Sequence, residues 1–409
     1  SHTCGILNDY SVKCWGRDLY GELGYGDTAS RGDGAGEMGD SLPTVDVGTD
    51  LNAESIHCGK DHTCALLNDG SMKCWGYNLY GQLGQGSTAS LGDGSGEMGD
   101  YLPSIDLGSG LTIQECFDLT PTMAPTFDPT FDPTIYVFPS YSCKSDLVGG
   151  YHNCPLFSSN GVKCFGYNNN GQLGYSGTNN RGDQANELGN NMPFVGLNGD
   201  VKSVALGYFH SCAAFTDFSA ACWGLNNNGQ LGQGDTNNRG DNAGEMGGNL
   251  PSIDVGTNVY VDLMMAGLFH TCMRSTLGQV KCWGLNGAGQ LGQGDSFKRG
   301  NGPGQMSDYL DFVDVGSGCV VVDLSLGTIH TCVVCSNGDV KCFGKNDNGQ
   351  LGQGDTIDRG DDAGEMGDYL PAIDLGSGLT VSEVFSGDNH NCVMFSDGSV
   401  KCFGRNNAG

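Results

Sequence analysis

The stretch Gly59 to Gly86 reads GKDHTCALLNDGSMKCWGYNLYGQLGQG, and the rest of the chain copies it. Within it, Cys64-Ala65-Leu66-Leu67 and Ser71-Met72-Lys73-Cys74-Trp75 flank Asn68-Asp69-Gly70. A three-residue turn ending in glycine closes a hairpin, because glycine accepts the left-handed conformation that the turn and its bulge require. Counting outward from Asp69 opposes Leu67 to Ser71, Leu66 to Met72, Ala65 to Lys73 and Cys64 to Cys74. Opposed Cα atoms at roughly 4.5–5.5 Å suit a disulfide. The expected unit is a disulfide-clasped β-hairpin followed by a glycine-rich loop.

The chain makes this unit seven times, with His-X-Cys at His2, His62, His152, His210, His270, His330 and His390. The separations are 60, 90, 58, 60, 60 and 60 residues. A second cysteine follows the first by ten residues in every copy: Cys4 and Cys14, Cys64 and Cys74, Cys154 and Cys164, Cys212 and Cys222, Cys272 and Cys282, Cys332 and Cys342, Cys392 and Cys402. Five turns are read with glycine in third place (Gly70, Gly161, Gly278, Gly338, Gly398), while Tyr10 and Phe218 take that place in the other two. A fixed period of this size marks a repeat architecture.

After each of the first six hairpins come a Gly-Gln-Leu-Gly loop (with Glu22 in the first), an acidic segment, a segment of the Leu-Pro-X-(Ile/Val)-Asp kind and a stretch of strand period, such as Leu379 to Phe385. Each unit thus offers about four strand-like pieces, the content of one propeller blade. Gly59, His62, Leu66, Gly70, Trp75, Gly76, Asn78, Gly81, Gln82, Leu83, Gly84 and Gly86, with their counterparts in the other copies, resemble the regulator of chromosome condensation repeat. The resemblance covers essentially the whole chain outside one insertion. It implies an all-β fold, a seven-bladed propeller; an open superhelical array of the same repeats is the alternative. The paired cysteines depart from the intracellular pattern of that family and suggest a secreted branch. Phe165, Phe343 and Phe403 stand where other copies have tryptophan, a conservative exchange for a packed aromatic.

The insertion fills the 90-residue gap. Residues 1–116 are expected to carry the first two hairpins, 117–142 a Pro/Thr-rich arm and 143–409 the other five hairpins, with both ends truncated. The arm's repeated Pro-Thr favours extended, polyproline-like chain. With no Asn-X-Ser/Thr sequon in the sequence, O-linked sugar is expected on Thr120, Thr122, Thr126, Thr130 or Thr134. Cys116 and Cys143 are expected to tie the arm's base; Cys58, Cys319 and Cys335 remain, allowing a pair plus a free thiol or a bond to chain elsewhere.

Composition bounds the function. Nineteen cysteines, fourteen of them in hairpin pairs, point to an oxidising compartment, extracellular or at the cell surface. Each clasped hairpin loop is worth roughly 2–3 kcal/mol. Zinc held by His-X-Cys with the later cysteine is the other reading, but structural zinc sites favour closer cysteine spacing. A formal charge of −28 argues against nucleic acid and anionic lipid as partners, and no apolar run spans a bilayer, so no membrane insertion is expected.

The acidic segments are the candidate ligand site. Asp33, Glu37 and Asp40 recur as Asp93, Glu97 and Asp100, as Asp241 and Glu245, and as Asp361, Glu365 and Asp368. Oxygen ligands crowded in a glycine-rich loop suit Ca²⁺, the one cofactor considered, whereas solvated caps of a short turn are the plainer reading. Asn301 and Gln305 replace two of the carboxylates in one copy. Arg-Gly-Asp at Arg31, Arg181, Arg239 and Arg359 multiplies one accident, its arginine expected to pair with nearby acids. Seven equivalent histidines read as core positions fixing each blade, since catalysis rarely needs a residue seven times. No Ser/His/Asp order or phosphate loop stands out, and no enzyme is expected. The expected function is an extracellular structural or interaction protein, a scaffold, coat or filament subunit that self-associates through protein contacts. The alternative is a secreted module recognising a protein or glycan ligand.

Overall fold

The computed structural model describes residues 2–114 and 144–407. Seven antiparallel sheets follow one another along the chain. Blade 1 pairs His2–Ile6 with Val12–Gly16, and blade 3 pairs His152–Asn153 with Phe165–Gly166. The other five blades have three strands each. They are Ala53–Cys58, His62–Leu67 and Met72–Gly76 in blade 2, and Val201–Leu206, His210–Phe215 and Ala220–Gly224 in blade 4. Blade 5 has Val261–Ala266, His270–Ser275 and Val280–Gly284; blade 6 has Val321–Leu326, His330–Cys335 and Val340–Gly344. Blade 7 has Val381–Ser386, His390–Phe395 and Val400–Gly404.

The hairpin register is the one counted from the turn: Leu66 faces Met72, Ala65 faces Lys73 and Cys64 faces Cys74. Disulfides join Cys64 to Cys74 and the six equivalent pairs, with Cα atoms 4.0–4.1 Å apart. A further disulfide joins Cys319 to Cys335 in blade 6, leaving Cys58 as the free cysteine among the described residues. Cys116, Cys143 and the arm threonines lie outside the described residues.

Two local readings need correction. In the third hairpin the left-handed residue is Asn160 (φ 60°), not Gly161, because the amide of Asn160 bonds to Phe157 as that of Gly70 bonds to Leu67. Asparagine tolerates this conformation better than most residues, so an Asn-Gly pair leaves the register open by one place. Tyr10 and Phe218 take the same conformation at φ 65° and 66°, the closed turn overriding their preference. The Leu-Pro segment is not a fourth ladder strand. It meets its blade through one backbone bond, such as Ile105 N–H to the Met72 carbonyl at 2.8 Å or Ile253 to Ala220 at 2.8 Å. Asp46, Asp106, Asp254, Asp314 and Asp374 then accept the amide two residues on and turn the chain away.

Each blade is stitched to the next by its histidine. His210 Nε2 lies 2.9 Å from Thr271 Oγ1, and that hydroxyl donates to the Gln230 carbonyl at 2.8 Å. A hydroxyl whose proton goes to a carbonyl must accept from the ring, so Nε2 carries the histidine proton. His62 shows the same logic with an amide: Asn153 accepts through Oδ1 at 2.9 Å and donates through Nδ2 to the Gln82 carbonyl at 2.7 Å. The series runs on through His152 to Ser211, His270 to Thr331 and His330 to Asn391. It returns when His390 Nε2 meets Thr3 Oγ1 at 2.9 Å, so blade 7 joins blade 1 and the array is a closed ring, not an open superhelix.

The core is divided among these junctions. Trp75, Trp223, Trp283, Phe165 and Phe343 are fully buried, each against the preceding blade's Gly-Gln-Leu-Gly loop or its Gly-Glu-Leu-Gly form in blade 1. Trp75, Trp223 and Trp283 donate their indole N–H to a loop carbonyl at 2.8–3.0 Å. At the seam between blades 7 and 1, Trp15 is only half-buried and lines a cavity of about 380 Å³ with Thr3, Asp388, His390 and Phe403.

Candidate interaction face

Two loops of every blade meet at the histidine end of its sheet, because His62 pairs with Gly76, and likewise in the other copies. One is Gly-X-X-His, the other the Trp-Gly-X-Asn-X-X-Gly turn. The glycine of Gly-X-X-His is fixed by packing: a Cβ on Gly59, Gly207, Gly267, Gly327 or Gly387 would overlap the following imidazole. Asn78, Asn168, Asn226, Asn286 and Asn346 hold the second loop by accepting the amide of the buried leucine at 2.9–3.0 Å. The frame therefore spends its glycines, histidines and asparagines on itself. Most X positions remain at least partly exposed, with Asp61, Asn228 and Ala288 among those buried.

In each of blades 1–5 at least one of these positions carries a ring. Tyr20 of blade 1 lies 4.7 Å from Tyr77 of blade 2, centroid to centroid, and Tyr77 lies 6.0 Å from Tyr80. Tyr80 in turn meets Tyr167 at 4.7 Å and Tyr151 at 5.8 Å, both in blade 3. Tyr151 continues to Tyr208 at 6.0 Å and Phe209 at 5.8 Å, and Phe209 to Phe269 of blade 5 at 6.1 Å. All eight rings in this arc are partly exposed. Such spacings are those of mutually attractive aromatic pairs, and half-wet tyrosines are characteristic of binding surfaces.

One cation sits in the arc. Lys60 donates to the Tyr151 hydroxyl, with its ammonium 4.9 Å from the Tyr151 centroid and 5.8 Å from that of Tyr208. Partial burial works against its charge, but the Tyr151 bond and the surrounding oxygens raise its pKa, so it stays protonated. Tyr77 is pushed up to about 12, chiefly by burial, and keeps its proton. Across the centre, Tyr208 donates to Asp388 of blade 7, which also accepts from Thr328 of blade 6 at 3.3 Å. Blades 6 and 7 carry Thr328, Ile329, Asp388 and Asn389 where blades 3–5 carry aromatics. The arc is thus one-sided.

The sequence-derived ligand candidates are placed differently. Glu37 accepts the amides of Gly32 and Gly34, each at 2.8 Å, Glu245 those of Gly240 and Asn242, and Glu365 those of Gly360 and Asp362. These bonds hold Glu37 below the usual carboxylate range, and at Glu245 they act with Asp241 and Asn242 against partial burial to the same net effect. Gln305 keeps the bond from the amide three residues back, Gly302 at 2.9 Å, and takes that of Asn301 at 3.0 Å instead of Gly300, so this position needs an oxygen acceptor and no charge. Asp368 points away from Glu365, taking the amide of Ser317 in the previous blade at 2.6 Å. Asp33 stands four residues before Glu37 in its loop; Asp241 and Asp361 are raised by partial burial beside Glu245 and Glu365. Asp40, in the turn Gly39–Ser41, is exposed. Among the described residues no acidic loop gathers three carboxylates around one point. The sole trio of potential ligands among the described residues is His2, Cys4 and Cys58, and Cys4 is already spent in a disulfide. Arg31, Arg239 and Arg359 pair with Asp27, Asp235 and Asp355 at 2.7–2.8 Å, while Arg181 lies over Tyr175, 4.5 Å from its centroid. Each of the four also exchanges backbone bonds with the glycine after its blade's aromatic.

A closed ring of seven clasped sheets with an aromatic arc on its histidine face is a β-propeller of the interaction-module class. Family models for the regulator of chromosome condensation (RCC1) repeat match residues 54–82, 201–230, 266–290, 321–350 and 381–409, and a second model of that repeat matches 337–394. The chain is a propeller built of regulator of chromosome condensation repeats. It is 26% identical over 388 residues to the ultraviolet-B receptor UVR8 of Arabidopsis thaliana, covering 88% of this chain and 78% of that one. It is 28% identical over 414 residues to the probable E3 ubiquitin-protein ligase HERC4 of Homo sapiens, covering 94% of this chain but 36% of that protein. Among solved structures, human WBSCR16 superposes with a TM-score of 0.64 at 18% identity, over 97% of this chain and 89% of that one. Prp20p of Saccharomyces cerevisiae, studied for binding to Gsp1p and histones, gives 0.63 at 16%, over 95% and 78%. Among the described residues, no helix is long and apolar enough to cross a membrane.

Proposed function

We propose that this protein is a secreted interaction propeller that assembles with further copies of itself into an extracellular scaffold or coat. The observation that carries the reading is the arc of eight half-exposed rings across blades 1–5. On a chain of net charge −28, copies repel one another over most of their surface, and an aromatic arc that carries the Lys60 ammonium is where they can approach. The disulfides in every blade support an oxidising compartment. Relatives that act as receptors or bind proteins lend the general expectation of a protein partner.

Sedimentation velocity of the purified, non-reduced protein tests this. The wild type should associate over the micromolar range, and Tyr80→Ser with Tyr167→Ser should weaken that association at least tenfold while leaving the melting temperature within a few degrees. Association that survives both substitutions, or a wild type that stays monomeric throughout, overturns it. In the latter case the arc belongs to a separate protein or glycan ligand.

A further inference from the structure

The self-association reading leaves open which part of the second copy meets the arc. We infer that the occupant is the Pro/Thr-rich arm of a neighbouring copy, residues 117–142, docking as an extended polyproline-type segment. This inference rests on that reading and names its contact.

The arm has prolines at Pro121, Pro125, Pro129 and Pro133, each followed by threonine, with Phe127-Asp128 and Phe131-Asp132 between them. A polyproline II helix has three residues per turn and a rise of about 3.1 Å per residue. In that conformation Pro125, Asp128 and Phe131 would share one face, with the acid about 9 Å from each apolar neighbour. The arc presents the complement: Lys60 beside Tyr151 and Tyr208, then Tyr80 to one side and Phe209 to the other. Tyr80 is 5.8 Å from Tyr151, and Phe269 lies a further 6.1 Å beyond Phe209. Aromatic-lined grooves are the general receptors for polyproline segments, because such chain loses little entropy on docking and its rings stack flat. Lys60 adds charge complementarity toward Asp128 on an otherwise acidic protein.

The attachment points favour a neighbour. Gln114, the last described residue before the arm, bonds to the Leu156 carbonyl at 2.7 Å, beside the hairpin turn of blade 3. Tyr151 stands at the opposite end of that blade, next to His152. The chain therefore enters the arm from the side of the disc away from its own rings, which favours the rings of a second copy as the site.

The test is fluorescence anisotropy with the whole disulfide-bonded chain and a labelled, unglycosylated peptide of residues 120–135. The peptide should bind saturably. Lys60→Glu should weaken binding about tenfold, and a peptide carrying Asp128→Lys and Asp132→Lys should recover most of that loss on the Lys60→Glu chain. A peptide with its four prolines changed to alanine should bind at least fivefold more weakly than the native one. Charge-swap recovery separates docking from a merely structural role of Lys60. No peptide binding by a chain that still self-associates through Tyr80 and Tyr167 overturns this inference and leaves self-association standing. Peptide binding by a chain that sediments only as monomer overturns the assignment to a neighbouring copy, because the arm then serves its own face. Binding unaffected by Lys60→Glu overturns the register.

Discussion

The histidine face has two halves, and they share one backbone. In blades 3–5 the residues before the histidine are Gly-Tyr, Tyr-Phe and Leu-Phe; in blades 6 and 7 they are Thr-Ile and Asp-Asn. Both halves keep the same glycine packed on the same imidazole, and the same histidine bond to the next blade. The frame thus cannot be what separates them. Where the chain must satisfy its neighbours, the residues repeat; where it faces outward, they diverge, and the aromatics collect on one side. A repeat protein's binding surface is legible as the positions at which its copies disagree.

That contrast can be broken at the frame, with the largest effect. Trp283 is fully buried and donates to the Gln230 carbonyl at 3.0 Å. Trp283→Ala should cost about 3–5 kcal/mol in chemical denaturation, through lost burial and an emptied site. Tyr167→Ser, on the face, should stay within about 1 kcal/mol of wild type. Equal losses would erase the distinction between frame and face.

Acid should act on the frame next. Burial lowers the pKa of His62 and His330 to about 4 and of His152, His210 and His270 to about 3. Protonation would also give Nδ1 a proton it cannot share, since this atom has no partner in any of the five. Unfolded histidine titrates near 6.5. The unfolded chain therefore binds protons that the folded one refuses, and stability is full above pH 6.5 and falls as pH drops toward 4. Each histidine contributes up to about 1.4 kcal/mol per pH unit in that window. Calorimetry should show a melting temperature flat from pH 7 to 8 and declining steeply below 6; a flat profile down to pH 5 would contradict the neutral, stitched histidines.

The smallest effect belongs to the acidic loops. Because Gln305 accepts the amide three residues back in one blade as Glu245 does in another, Glu245→Gln should shift the melting temperature by no more than about 2 °C. Addition of a chelator should leave it unchanged. A chelator-induced drop would restore a calcium site that the loop geometry does not assemble.

Much of the frame was readable from residues alone, because period, cysteine spacing and turn chemistry all constrain the same hairpin. The third turn is ambiguous by one place in the sequence, because Asn160 and Gly161 compete for the left-handed position and Asn160 takes it. The Leu-Pro segment looked like a strand since its apolar residues alternate, but the Asp-X-Gly that follows turns it out of the ladder. The aromatic face escaped sequence reading for a topological reason. Tyr80 and Tyr167 are far apart in the chain, and only closure of adjacent blades brings their rings to 4.7 Å. The signal was present in the alignment of the repeats, as aromatics confined to the variable X positions of the first five copies. The acidic residues repeat because they support their own loops, as Glu37, Glu245 and Glu365 do.

Electron microscopy of the purified, non-reduced protein, wild type beside the Tyr80→Ser and Tyr167→Ser double variant, tests the central claim most directly. The account predicts ordered assemblies with a repeat of one propeller for the wild type and isolated discs for the variant. Isolated discs in both samples, or assemblies in both, would contradict it.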